Sequence, residues 1–200
     1  MDYILKIHET QTCYKGFFTL EKHVLQHSLY KGGMSATLSR ELLYYKDAVA
    51  VLLYDPHEDA VVLIEQFRIG ARHDKDNPWV LELVAGFQEP GEDIDTTVAR
   101  EVWEESGLQV SAFEPVCEFY INPANTSDRI TLVCAQVDAK TAEGVHGMVE
   151  EGEDIRVLVY PYGRIQGMIE SGRINSATPI LAMQWLQLNR EGLRARWRNR

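Results

Sequence analysis

Glu101, Glu104 and Glu105 fall within five consecutive positions, inside a stretch (residues 86–108) that carries seven acidic residues in 23. If that stretch is helical, positions i, i+3 and i+4 share one face and the three carboxylates converge. Ile94, Val98 and Val102 then form a separate apolar stripe that can pack on a sheet. Such a cluster is either a solvated acidic face or a cation site. As a solvated face it carries like-charge repulsion of about 0.2–0.5 kcal/mol per i,i+4 pair, with Arg100 the one basic residue nearby in the helix. As a site it suits a hard divalent cation: magnesium takes oxygen ligands and retains waters, which leaves room for substrate phosphates. Helix geometry alone leaves both readings open.

The spacing goes further. Gly86 is followed after five residues by Glu92, and after seven more by Arg-Glu-Val-Trp-Glu-Glu-Ser-Gly-Leu. This resembles the Nudix box, and every fixed position of that pattern is met, by Gly86, Glu92, Arg100, Glu101, Val102, Glu104, Glu105, Gly107 and Leu108. The resemblance implies a Nudix fold, a mixed sheet between helices, and hydrolysis of a nucleoside diphosphate linked to another group. Each position has a physical reason. Gly86 lets the chain turn closely out of a strand. Glu92 and Arg100 are suited to pin loop to helix, a structural role. Glu101 and Glu105, one turn apart, can hold adjacent cations that clamp a pyrophosphate and acidify a bound water. Glu104 binds metal directly, through water, or orients its neighbours.

Beyond the box, "YKGFFTL", "VVLIEQFRIGA", "PWVLELVAG", "EGEDIRV" and "ILAMQWLQL" resemble the bacterial ADP-ribose pyrophosphatases, and Pro123, sixteen residues after Gly107, matches a marker of that group. The resemblance implies cleavage of ADP-ribose to AMP and ribose 5-phosphate with magnesium, manganese being the alternative ion. It implies a homodimer with shared active sites, in which N-terminal strands cross to the partner. Residue by residue, it assigns the Ala85 carbonyl, Glu101, Glu105 and Glu153 as metal ligands, with Glu104 a further candidate. It makes Glu151 the general base, so that Glu151, Glu105 and Glu101 carry catalysis. Phe17 and Phe18 match an adenine-stacking pair, and Arg40 and Glu41 of the second chain would frame the base. Arg68 matches a substrate-contacting arginine, Phe87 would lie along the substrate through its backbone, and Asn122, Ala124 and Asp128 occupy terminal-ribose positions. Tyr45 departs from the arginine usual there, and Asp128 is one methylene shorter than the usual glutamate.

The elements that must position these residues can be read from pattern. "FFTLEKHVLQHSLY" and "MSATLSRELLYY", joined at "KGG", read as a hairpin or small antiparallel sheet. "AVAVLLYD" and "AVVLIEQFRIG", joined by a turn around Pro56, are continuously apolar, as strands buried on both faces are. "WVLELVAGF", "VCEFYI", "RITLVCAQVD" and "IRVLVYPY" are further strands, and residues 94–106 form a helix closed by Gly107. A long polar loop precedes "IRVLVYPY", and a helix with a basic end runs from about Ser176. The expected class is α/β (α+β), with a mixed sheet sandwiched between helices and an N-terminal antiparallel sheet. Residues 1–45 are expected to form an N-terminal β subdomain exchanged in a dimer, and 46–200 the catalytic domain.

Composition sets the outer bounds. The chain has 200 residues, 45% of them apolar, and a formal net charge of −10. That charge argues against sequence-independent nucleic-acid binding, and the basic C-terminal tail is explained by a helix end. Cys13, Cys117 and Cys134 are an odd, scattered set, which points to a reducing compartment. "MDYILKIHET" lacks signal-peptide character, and no run approaches a membrane span of about 18 apolar residues, so a cytoplasmic enzyme without a membrane partner is expected. His23 and His27 have i,i+4 spacing but lie in a strand-like stretch, which argues against a histidine metal site. Two alternatives stand beside ADP-ribose hydrolysis: another nucleoside diphosphate sugar such as GDP-mannose, and a non-catalytic ligand-sensing Nudix module. Retention of all three box glutamates and the absence of a DNA-binding extension weigh against the second.

Overall fold

The computed structural model describes residues 3–73 and 78–198. The backbone divides into two compact units, residues 1–47 with 119–129, and residues 48–118 with 130–200.

The first unit is an antiparallel sheet of three strands, β1 (Leu5–Lys15), β2 (Thr19–His27) and β3 (Leu38–Tyr44), in that order. The expected hairpin is the β2–β3 pair. β1 is an addition that its polar and apolar mixture did not announce, because every residue in it is exposed and none is sorted by burial. The segment 119–129 joins this unit through hydrogen bonds from the Leu43 N–H to the Asn125 carbonyl and from the Tyr45 N–H to Ser127 Oγ.

The second unit is built on a mixed sheet. Its strands are β4 (Ala48–Asp55), β5 (Ala60–Phe67), β6 (Trp79–Glu82), β7 (Val84–Phe87), β8 (Ala112–Tyr120), β9 (Arg129–Gln136), β10 (Val145–His146) and β11 (Ile155–Pro161), the last two residues of β8 and the first of β9 counting with the first unit. The main order is β10-β11-β5-β4-β9-β8, with β4 and β9 parallel at the centre. β4 and β5 pair only at their turn, Leu53 to Val62 and Asp55 to Ala60, and then diverge. β7 pairs with the first half of β4, and β6 with the second half of β5. The stretch "WVLELVAGF" is therefore two strands broken at Leu83 rather than one, because its halves serve different neighbours.

Helix α1 (Ile94–Ser106) starts at Asp93, whose side chain accepts from the Thr96 N–H, and stops at Gly107 in the left-handed conformation (φ 66°). Val98 and Val102 are buried in the core with Val49, Val51, Leu53, Val62 and Ile64, and Ile94 packs on its edge. Because side chains alternate along a strand, Ala50, Leu52 and Tyr54, all buried, face the opposite side of β4. There α3 (Ala177–Trp197) lies against β4. Its arginines anchor it: Arg190 NH1 and Arg194 NH1 reach Asp59 Oδ2 at 2.5 and 3.4 Å, while the Tyr54 hydroxyl donates to Asp59 Oδ1. A short helix, α2 (Ile165–Glu170), which sequence pattern did not signal, links β11 to α3. No helix among the described residues is long and apolar enough to cross a membrane.

Candidate active site

The wedge where β4 and β5 diverge is lined by β7, and β7 lies along α1. Two successive strand residues meet two successive helix turns. The Ala85 N–H donates to Glu105 Oε2 at 2.9 Å, and a Cβ on Gly86 would overlap the Glu101 carboxylate outright. That close approach, with no positive φ at this position, is why glycine is required there. Glu101 and Glu105 are consequently buried, 7% and 4% exposed, which is exceptional for carboxylates without full pairing.

Their environment is unfavourable for charge. Burial pushes the Glu105 carboxyl up from 4.5 to about 8, opposed by the Ala85 N–H and reinforced by the nearby Glu153 and Glu101 charges. Glu101 is also raised, first by burial, with Arg100 opposing and Glu104 and Glu153 adding to it.

Arg100 ties the loop to the helix. Its Nε and NH2 donate to the two Glu92 oxygens, both at 2.9 Å, its NH2 also donates to the Phe87 carbonyl, and its NH1 reaches Glu101 at 2.7 Å and Glu104 at 3.2 Å. The guanidinium, with backbone help from the Glu89 N–H, holds the Glu92 carboxyl down at about 2. The same fork thus pins the loop and partly neutralises two of the three clustered glutamates.

Glu153 and Glu151 sit in the long polar loop, which is more ordered than its composition suggests: it contains β10 and short 3₁₀ turns at Ala139–Thr141 and Val149–Glu151. Glu153 is half-buried, accepts from the Met148 N–H at 2.9 Å, and is near enough to Glu101 and Glu105 to raise both. Glu151 is exposed. Arg68 is engaged by Glu82, Nε to Oε2 at 2.8 Å. Glu82, a charge in an apolar strand, was detectable in principle as needing a cation, but its partner was not.

The remaining expected residues lie in the first unit. Phe17 and Phe18 meet edge to face, 5.0 Å between centroids, and Phe18 lies 5.0 Å from Tyr45. Phe17 is 80% exposed, unlike a core residue. Arg40 and Glu41 are exposed on β3, paired across the sheet with His23 and Lys22. The Asn122 carbonyl closes a turn by accepting from the Asn125 and Thr126 N–H groups, Ala124 is exposed, and Asp128 has a buried oxygen, Oδ1, without a hydrogen-bond partner. His23 is buried and bonded through Nδ1 to Thr10 Oγ1.

A cation fits the second-unit cluster. The donors are hard oxygens, two carboxylates are buried side by side, and a third raises both, so added positive charge relieves a cost already present. Among the described residues no three acidic, His or Cys side chains converge as a ready metal cluster. Arg100 binds Glu101 and the Met148 N–H binds Glu153, and a cation would have to share or displace these bonds.

Comparison with known proteins agrees with this chemistry. A family model described as the NUDIX domain matches residues 44–159. The chain is 42% identical over 187 residues to the ADP-ribose pyrophosphatase of Escherichia coli (strain K12), covering 94% of this chain and 90% of that protein. It is 40% identical over 191 residues to the ADP-ribose pyrophosphatase of Haemophilus influenzae, covering 94% and 88%. A crystal structure of an ADP compounds hydrolase superposes with a TM-score of 0.72 over 97% of this chain and 96% of that one; at 21% identity it attests the shared fold.

Proposed function

The chain belongs to the Nudix family, and from that premise we propose that it hydrolyses the pyrophosphate bond of ADP-ribose, giving AMP and ribose 5-phosphate, with magnesium as its divalent cation. The observation that carries the reading is the buried pair Glu101 and Glu105, set against β7 and faced by Glu153. These three, with the Ala85 carbonyl, would hold the cation, and Glu104 would orient the set. A bound divalent cation offsets charge on the pyrophosphate and acidifies a water. Arg100 keeps Glu101 and Glu104 presented on one helix face. Glu151, exposed at the end of its loop, accepts the proton of the attacking water. Oxygen of that water bonds to phosphorus, and the bridging P–O bond breaks with its electrons leaving on the departing phosphate.

In this reading Phe17 and Phe18 stack on the adenine, Arg40 and Glu41 of a second copy frame it, Arg68 and the Phe87 backbone line the diphosphate, and Asn122, Ala124 and Asp128 contact the terminal ribose. The exposed Phe17 supports that assignment, since a stacking platform must be open to its ligand. The protein would act as a homodimer. The test is a panel of nucleoside diphosphate sugars with and without magnesium, products separated by chromatography. ADP-ribose should turn over at least roughly tenfold faster than GDP-mannose, about 1.4 kcal/mol in transition-state binding. Equal rates would refute the assignment of the adenine pocket, and magnesium-independent cleavage would refute the metal reading.

A further inference from the structure

The segment bearing Glu151 and Glu153 is far from α1 in sequence, yet its carboxylates serve the reading above only if the segment returns to that helix in a set position. Two contacts close that distance, and a third orients the ring that makes one of them. The Gly147 N–H donates to the Glu104 carbonyl at 3.0 Å, capping an otherwise orphaned acceptor near the C-terminal end of α1. The His146 ring lies over Gly107, so closely that a Cβ there would come within 2.5 Å of its Cε1. His146 Nε2 lies 2.8 Å from the Glu143 carbonyl, which can only accept, so Nε2 carries the proton and the ring is oriented by its own loop. Just beyond, Gly147 (φ 104°) turns the chain against Glu153, and the Met148 N–H and carbonyl hold the Glu153 carboxylate and N–H.

We propose that His146 is a positioning residue: its ring, seated on Gly107, latches the loop of Glu151 and Glu153 to the helix that carries Glu101, Glu104 and Glu105. Gly107 then has two duties. It takes the left-handed conformation that ends α1, and it leaves the surface on which the imidazole rests. A side chain at 107 would meet the ring even if the backbone strain were tolerated. The inference rests on the roles assigned to Glu151 and Glu153, but the latch itself is a contact that can be measured without catalysis.

The first experiment is amide hydrogen exchange on the full, metal-free chain. In His146→Ala, exchange across residues 147–153 should accelerate at least about tenfold while α1 and the central sheet are unchanged. Unaltered exchange in that segment would overturn the proposal. The second is kinetics on ADP-ribose. His146→Ala should lower kcat roughly tenfold or more with KM within about twofold, because a shift of about 1 Å in a base or ligand costs that much in rate. A rise in KM with kcat intact would overturn a positioning role. The third is a cycle of Gly107→Ala, His146→Ala and the double variant. Gly107→Ala should cost less turnover in the His146→Ala background than in the wild type, since the steric conflict is gone and only backbone strain remains. Equal costs in both backgrounds would show that the two residues act independently and would overturn the latch. A wild-type protein that failed to cleave ADP-ribose would refute the functional reading and leave the exchange result to stand alone.

Discussion

Replacing Glu105 with glutamine separates the role of this side chain in folding from its role in chemistry. In the metal-free protein the folded-state pKa of Glu105 lies near 8, against an ordinary 4.5. A carboxyl raised in this way favours the fold while protonated. Its contribution is fully present below about pH 4.5 and is lost as the pH rises through about 8. From 4.5 to about 8, at about 1.4 kcal/mol per decade, the loss reaches up to about 5 kcal/mol. Glutamine fills the same volume, can still accept from the Ala85 N–H through its carbonyl oxygen, and carries no charge to desolvate. The expected result is that Glu105→Gln matches the wild type near pH 5 in the presence of a chelator and exceeds it at pH 9. For a chain of this size 1 kcal/mol moves the Tm by about 2–4 °C, so the gap should approach 10 °C or more. Magnesium should narrow that gap. It stabilises the wild type by mass action, about 2.7 kcal/mol at a hundredfold excess over Kd, and leaves the variant little changed. Turnover of the variant should be nearly abolished. Thermal or urea melts at pH 5, 7 and 9, with chelator and with magnesium, make the measurement. A variant less stable than the wild type at pH 9 in chelator would refute the reasoning, because the charged carboxylate would then be a net stabiliser without metal. Equal magnesium stabilisation of both proteins would refute Glu105 as a ligand.

Other expectations concern the rest of the site. Glu151→Gln should lower turnover by roughly 10²–10⁴-fold with magnesium dependence unchanged, whereas Glu153→Gln should weaken magnesium dependence and recover partly at high magnesium; magnesium titrations of both variants side by side would reverse the assignment if the two defects were exchanged. Gly86→Ala should drive a methyl into the Glu101 carboxylate, lowering stability by about 1–3 kcal/mol and removing most activity; a fully active variant with an unchanged melt would contradict the close approach of β7 and α1. Deletion of residues 1–45 should abolish both dimer formation and activity, read by light scattering and ADP-ribose turnover, and an active soluble monomer would sink the shared-site arrangement.

The acidic cluster, the helix that presents it and both ends of that helix were legible in the chain alone, because they depend on contacts within a few residues. Three glutamates at i, i+3 and i+4 must share a face, Asp93 caps the start by reaching three residues ahead, and Gly107 adopts a conformation that side chains resist. The bond between Glu92 and Arg100 also spans little chain, and the structure contains it. What stayed hidden involves partners chosen from a distance. The break at Leu83 exists because β6 and β7 bond to different strands. Arg68 meets Glu82 fourteen positions away, and no local pattern announces which carboxylate an arginine will find. His146, a lone histidine in a polar loop, carried no signal at all until the loop was folded back over Gly107. Burial is the deepest case. The sequence determined that Glu101 and Glu105 would lie together, but only tertiary structure decided that they would be taken out of water. Desolvation comes from the strand and loop packed around them, and a one-dimensional pattern specifies neighbours along the helix without specifying what covers it.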